Sequence, residues 1–139
     1  MTATTSVKLD RIEELLAEKG YEVAQQGEGI LRISEPGSGI ALQAALEGGI
    51  LFFSLTCVTV PRMAITAELM RKMLDAANGI STSNFQLYDT GDGKTAITLN
   101  NFCKLQDLGA DDEDDILACV HFLLVDVVEA RRLIGGMVM

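Results

Sequence analysis

Reactive side chains are few in this chain. His121 is the only histidine, and Cys57, Cys103 and Cys119 are the only thiols. A cysteine nucleophile needs a base within hydrogen-bond reach to become a thiolate at neutral pH. Cys119 and His121 stand two positions apart in a stretch of helical spacing, which sets them roughly 200° apart around the axis. They can share neither a proton nor a metal ion. His121 would have to meet Cys57 or Cys103 through the fold, and the plainer expectation for it is a packed spacer at the edge of an apolar stripe. The three cysteines are odd in number, widely spaced and never form a CxxC pair, which argues against a disulfide framework and a zinc knuckle. They are expected to be reduced, buried thiols.

Motifs that bind phosphate or calcium are approached and missed. The string GDGKT, Gly91 to Thr95, resembles the end of a P-loop. Tyr88 stands where that motif requires its first glycine, and TAITLNN after the lysine alternates as a strand rather than a helix. A calcium loop beginning at Asp89 fails because Gly91 and Gly93 replace carboxylate ligands and Asn100 replaces the bidentate glutamate. The glycines of GEGILRISEPGSG lie between two strands, so a dinucleotide fingerprint has no support. No cofactor is implied.

Five consecutive acids, Asp111, Asp112, Glu113, Asp114 and Asp115, precede the apolar run ILACVHFLL. Carboxylates at a helix start satisfy free N–H groups and oppose the macrodipole, at about 0.3–1 kcal/mol each. Five exceeds what capping requires, and crowding them costs repulsion. Three readings follow: a helix start, a partner-facing acidic patch, or a metal site without any other ligand type.

The elements that would position these residues follow from hydrophobic period. SVKLDRIEELLAEKG carries Leu9, Ile12, Leu15 and Leu16 at helical spacing and stops at Lys19-Gly20. The period then becomes two in YEVAQQ, GILRIS, GIALQAALE and GILFFSLTCVTV, separated by glycine-bearing turns that suit hairpins. In the fourth run Leu51, Phe53, Leu55 and Cys57 face one way and Phe52, Ser54, Thr56 and Val58 the other. Pro61 ends that strand. ITAELMRKMLDAANG reads as a helix capped by Thr66, with Leu69, Met70, Met73, Leu74 and Ala77 as its stripe and Asn78-Gly79 as its stop. STSNFQLYD and KTAITLNNF form a hairpin through Asp92-Gly93. A last helix is expected from about Asp112 to Ile134, ending at Gly135-Gly136. The order is α-β-β-β-β-α-β-β-α, an α+β layout with an antiparallel sheet and helices packed on one face.

In that last helix, steps of 100° place Ile116, Val120, Leu123, Leu124, Val127, Val128 and Ile134 on a core face. Phe122, Val125 and Leu133 fall on the opposite side, flanked by Asp126 and Glu129. With Phe52 and Val58 on the outer sheet face, these seven residues are the expected partner or dimer contacts, because large apolar groups there want a second surface.

Composition narrows the class. A chain of 139 residues with 48% hydrophobic and 22% charged content fits one domain, residues 1–139, with a core of its own. Twenty acidic against eleven basic residues leave a net charge of -9, which repels nucleic acid and anionic membrane surfaces. The N-terminus lacks a signal-peptide pattern, and the apolar runs fall well short of the ~20 residues of a membrane span. The expected location is cytoplasmic.

The order of elements resembles the class I type III secretion chaperone-like fold of YbjN-like bacterial proteins. The runs GILRISEPGSGIALQAALEGGILFFSLTCVTV, ITAELMRKMLDAAN and NNFCKLQDLGADDEDDILACVHFLLVDVVEA look like the YjfI-like family of small bacterial proteins. The fold resemblance implies a homodimer that binds segments of other proteins without catalysis. The YjfI-like resemblance implies a bacterial cytosolic protein, often encoded near phage-shock-protein-A-like membrane-remodelling proteins, which makes such a protein a candidate partner. The expected function is therefore a non-enzymatic, chaperone-like or regulatory protein-binding module. The alternative is a small-molecule or metal-binding sensor that uses the acid block or a pocket between sheet and helices.

Overall fold

The computed structural model describes the backbone of residues 2–138 and the side chains of residues 8–137. The elements run α1 (Thr2–Glu18), β1 (Glu22–Gln25), β2 (Ile30–Ser34), β3 (Ala41–Glu47), β4 (Ile50–Pro61), a short 3-10 turn (Arg62–Ala64), α2 (Ala67–Leu74), β5 (Asn84–Asp89), β6 (Lys94–Lys104) and α3 (Ala110–Val138). The six strands form one sheet in the order β1-β2-β3-β4-β6-β5. The β1-β2, β2-β3, β3-β4 and β5-β6 pairs are antiparallel. The fold is α+β, in the order read from the sequence.

Turn chemistry explains the meander. Gly48 and Gly49 alone join β3 to β4, both at positive φ (57° and 84°), the geometry of a tight hairpin that a side chain would strain. Gly29 has a second reason. Its carbonyl accepts from Leu46 N–H at 2.9 Å, and a Cβ there would stand 3.3 Å from the Leu46 carbonyl oxygen.

Contacts divide the chain into two compact units, Met1–Ser54 with Phe102–Val120 and Leu55–Asn101 with His121–Met139. In the first, Leu9, Ile12 and Leu16 of α1 are buried, as are Leu31, Ile33, Phe53, Ile116 and Val120. In the second, Leu55, Val60, Ile97 and Leu99 of the strands are buried, as are Leu69 and Met73 of α2 and Leu123, Val127 and Ile134 of α3. Alternate strand residues supply this core, as a one-sided sheet requires.

Two helices depart from expectation. In α2, Thr66 caps as expected, its hydroxyl accepting from Leu69 N–H at 3.1 Å. The helix nevertheless ends at Leu74, because Asp75 is extended (ψ 136°). Two turns bury only the Leu69/Met73 pair, so Met70, Leu74 and Ala77 are exposed. In α3, Gly135 and Gly136 do not stop the helix, which begins at Ala110 and continues to Val138. Neither glycine takes the left-handed conformation that would turn the chain away.

Candidate functional site

The acid block is the start of α3, and one member has a specific task. The carboxylate of Asp112 is buried and accepts from the backbone N–H groups of Gln106 at 2.8 Å and Leu108 at 2.7 Å. Leu108 sits at φ 59°, a conformation costly for a side-chain-bearing residue. Arg11 also donates to its carbonyl at 3.3 Å. Asp112 therefore ties the preceding turn to the helix, while Asp111, Glu113, Asp114 and Asp115 are exposed. Among the described residues no group of three or more His, Cys, Asp or Glu could hold a metal ion.

The sequence placed Asp126 on the contact face, and the structure corrects this. It is 1% exposed. Its Oδ1 accepts from Ser81 N–H at 3.1 Å and Ser81 Oγ at 2.9 Å, and its Oδ2 from Ser83 Oγ at 2.8 Å and Thr82 N–H at 3.5 Å. Burial pushes this carboxyl up, but the donors from Ser81, Ser83 and Thr82 outweigh it and hold the group below its ordinary value. Asp126 anchors the segment leading into β5. Its clue was the run STS at 81–83, a set of short donors whose partner lies 43 to 45 residues away.

The remaining expected contacts divide between the units, the exposed ones lying on the outward side of α3 in the second and on the sheet in the first. In the second unit the outward side of α3 carries Val125, 49% exposed, and Phe122, 36% exposed. Val128, expected in the core, joins them at 52%. It lies roughly 120° round from Ile116, outside the narrower arc of Ile116, Val120, Leu123, Val127, Ala130 and Ile134 that is buried. Val58, Leu133 and Glu129 are half-buried. Glu129 pairs with Arg132 at 2.8 Å. His121 is exposed rather than packed, its ring edge-on to Phe122 with centroids 5.6 Å apart. Of the two acids expected to flank this stripe, Asp126 is thus buried and Glu129 is paired.

In the first unit, Phe52 of β4 is 41% exposed and Phe102 of β6 is 63% exposed. Their rings meet at 6.1 Å with planes tilted by 47°. Opposite Phe52 on β3 stands Ala45, too small to cover it. The sequence reading missed Phe102, although its alternation with the buried Ile97, Leu99 and Cys103 marked it as outward-facing.

The thiols separate into two kinds. Cys57 is buried. Burial pushes its pKa up to about 11, against a smaller lowering by Arg131, whose Nε donates to the Cys57 carbonyl at 3.1 Å. Cys103 of β6 and Cys119 of α3 bias one another's titration: Cys119, then burial, push the Cys103 thiol up, while Cys103 pulls the Cys119 thiol down. Cys119, expected to be buried, is only half so. The GDGKT string spans the β5–β6 turn and the start of β6, where Thr90 N–H donates to the Lys94 carbonyl at 3.1 Å.

The sheet order and flanking helices are those of the YbjN and type III secretion chaperone folds. YbjN from E. coli, described as a candidate transcription regulator, has a TM-score of 0.68 at 15% identity, over 94% of this chain and 95% of that one. A chain of the heterodimeric ExoU–SpcU complex from the type III secretion system of Pseudomonas aeruginosa has a TM-score of 0.58 at 18% identity, over 91% and 97%. No protein-family model and no curated protein matches the chain, so the YjfI-like resemblance rests on the sequence runs alone. Among the described residues no helix is long and apolar enough to cross a membrane.

Proposed function

We propose that this chain is a non-enzymatic protein-binding module, chaperone-like or regulatory, that pairs with a second copy of itself and holds a partner polypeptide. The observation that carries the proposal is the exposed stripe of Phe122, Val125 and Val128 on α3. Covering such side chains gains about 2 kcal/mol each when burial is complete, a strong incentive for a partner. A second copy is the best fit to the stripe. Two chains of net charge -9 repel one another, and contact is least opposed where the flanking acids are buried or paired, as Asp126 and Glu129 are.

The Phe52–Phe102 pair suits the partner polypeptide, because outward aromatic rings on a sheet take apolar side chains from an extended or helical segment. The acidity of the chain favours a basic or mixed-charge segment. It also favours regulation through protein contacts over DNA binding. By resemblance the candidate partner is phage-shock-protein-A-like, and the setting is the cytoplasm.

Light scattering tests the homodimer. The wild-type chain should show twice its 15.0 kDa mass at high micromolar concentration, and Val125→Asp should show the single mass with an unchanged circular dichroism spectrum. A wild-type monomer at that concentration removes the homodimer. The partner is tested by affinity recovery with the wild type and Phe102→Asp: a companion retained by both variants alike would sink the role given to the aromatic pair.

A further inference from the structure

We infer that His121 makes the contact between two copies proton-sensitive: the chains pair through the α3 stripe while the imidazole is neutral and part as it gains a proton. This rests on the homodimer proposed above and names how that contact is regulated.

Placement carries the inference. His121 is the only histidine of the chain, and it stands inside the stripe rather than at its edge. At 3.6 residues per turn, Val125 lies about 40° to one side of it and Val128 about 20° to the other. Those two valines are 49% and 52% exposed, so a second copy that covers both also covers the imidazole between them. The ring is exposed and edge-on to Phe122, with centroids 5.6 Å apart. Leu124 and Val125, three and four positions on, share its side of the helix and are apolar.

Nothing in the same chain answers a charge on this ring. Among the described residues the imidazole has no ion pair and no hydrogen bond, whether from α3 or from another element. The nearest acids along the chain are Asp126, Asp115 and Glu129. Asp126 accepts from Ser81, Thr82 and Ser83, Glu129 is held by Arg132, and Asp115 is six positions away in the preceding turns. Arg131 is turned to the Cys57 carbonyl on β4, and Arg62 and Asp89 pair with each other.

The sign follows from desolvation. A neutral imidazole enters an apolar contact at modest cost, whereas an imidazolium loses its hydration there and gains no counter-charge. Proton binding therefore favours separate copies. In a twofold contact the same patch is used by both chains, so each dimer covers two such rings and responds to two protons. Histidine is the side chain whose charge changes between about pH 5 and pH 8. The overall charge works in the opposite direction, because acid lowers the net charge of -9 and eases repulsion between copies. Only the first effect depends on His121, which lets a substitution separate them.

Sedimentation equilibrium tests this with the wild type, His121→Gln and His121→Lys, each at pH 7.5 and pH 5.5 and at one ionic strength. Because the side chain is exposed, the fold should survive both changes, which circular dichroism checks. Between the two pH values the dissociation constant of the wild type should rise by at least about tenfold relative to that of His121→Gln. At pH 7.5 His121→Lys, charged throughout, should be weaker than the wild type by at least about tenfold as well. A dimer whose pH response is the same in the wild type and His121→Gln overturns the inference and leaves the homodimer standing, as does a wild-type dimer that tightens in acid more than the variant. A wild-type chain that is monomeric at pH 7.5 and high micromolar concentration removes the homodimer and the switch together.

Discussion

At the scale of single residues, acidity here is two buried hydrogen-bond hubs and a larger number of solvated charges. Asp112 and Asp126 are nearly inaccessible and each is met by backbone or hydroxyl donors. Removing such an acceptor leaves several donors unpaired, at about 2 kcal/mol. Urea unfolding should therefore show Asp112→Ala less stable by about that amount, while Asp111→Ala and Asp114→Ala change stability by less than about 0.5 kcal/mol. Equal losses across all three would mean that Asp112 has no distinct role. Asp126→Asn should be similarly costly at pH 7. The folded-state pKa of Asp126 is depressed, so its stabilisation is present above the unfolded value of about 3.9 and is lost as pH falls through the lower folded value. The penalty of Asp126→Asn relative to wild type should thus shrink below about pH 4, measured by unfolding at pH 7 and pH 3. The sequence marked the acid block as a helix start but could not single out Asp112. The choice depends on a turn that brings two backbone amides to one carboxylate. Asp126 was misplaced for a related reason: its donors arrive from another part of the chain, and helical phase alone reads a buried anchor as a surface acid.

Among the elements, those that announce themselves by period and glycine were the legible ones. All six strands and three helices occur in the order that alternation and 3.6-residue spacing set, and Thr66 caps α2 through its own hydroxyl. What was not legible was where a helix stops using its stripe. The residues after Leu74 have helical spacing, yet Asp75 turns out of the helix and binds Ala77 N–H through its own carboxylate at 2.9 Å, a local competition that short polar side chains commonly win. A helix of eight residues depends heavily on its cap. Thr66→Ala should cost about 1 kcal/mol and Thr66→Ser much less, read from thermal or urea unfolding. In α3 the error ran the other way, since the broad apolar stripe hid that only part of it meets the core. Val128 shows that a helix apolar on more than one side must be split between an inner and an outer face.

For the molecule as a whole, the boundaries between the two units fall inside β4, β6 and α3 rather than in any linker. We expect one cooperative unfolding transition, with circular dichroism and tyrosine absorbance coinciding. Two separated transitions would show independent domains. Charge sets the second expectation at this scale. Copies of a chain with net charge -9 should associate more tightly as salt screens their repulsion, so the dissociation constant of the proposed dimer should fall between low and moderate ionic strength. A rise instead would point to an interface built on ion pairs rather than on the Val125 stripe.

Strand order carries a consequence in time. Strands β3 and β4 have hydrogen-bonded neighbours on both sides, while β1 and β5 have one each. Heavy water should therefore label the amides of the two margins early and the middle late, and the sequence of uptake along the chain would recover the arrangement of the sheet from mass alone.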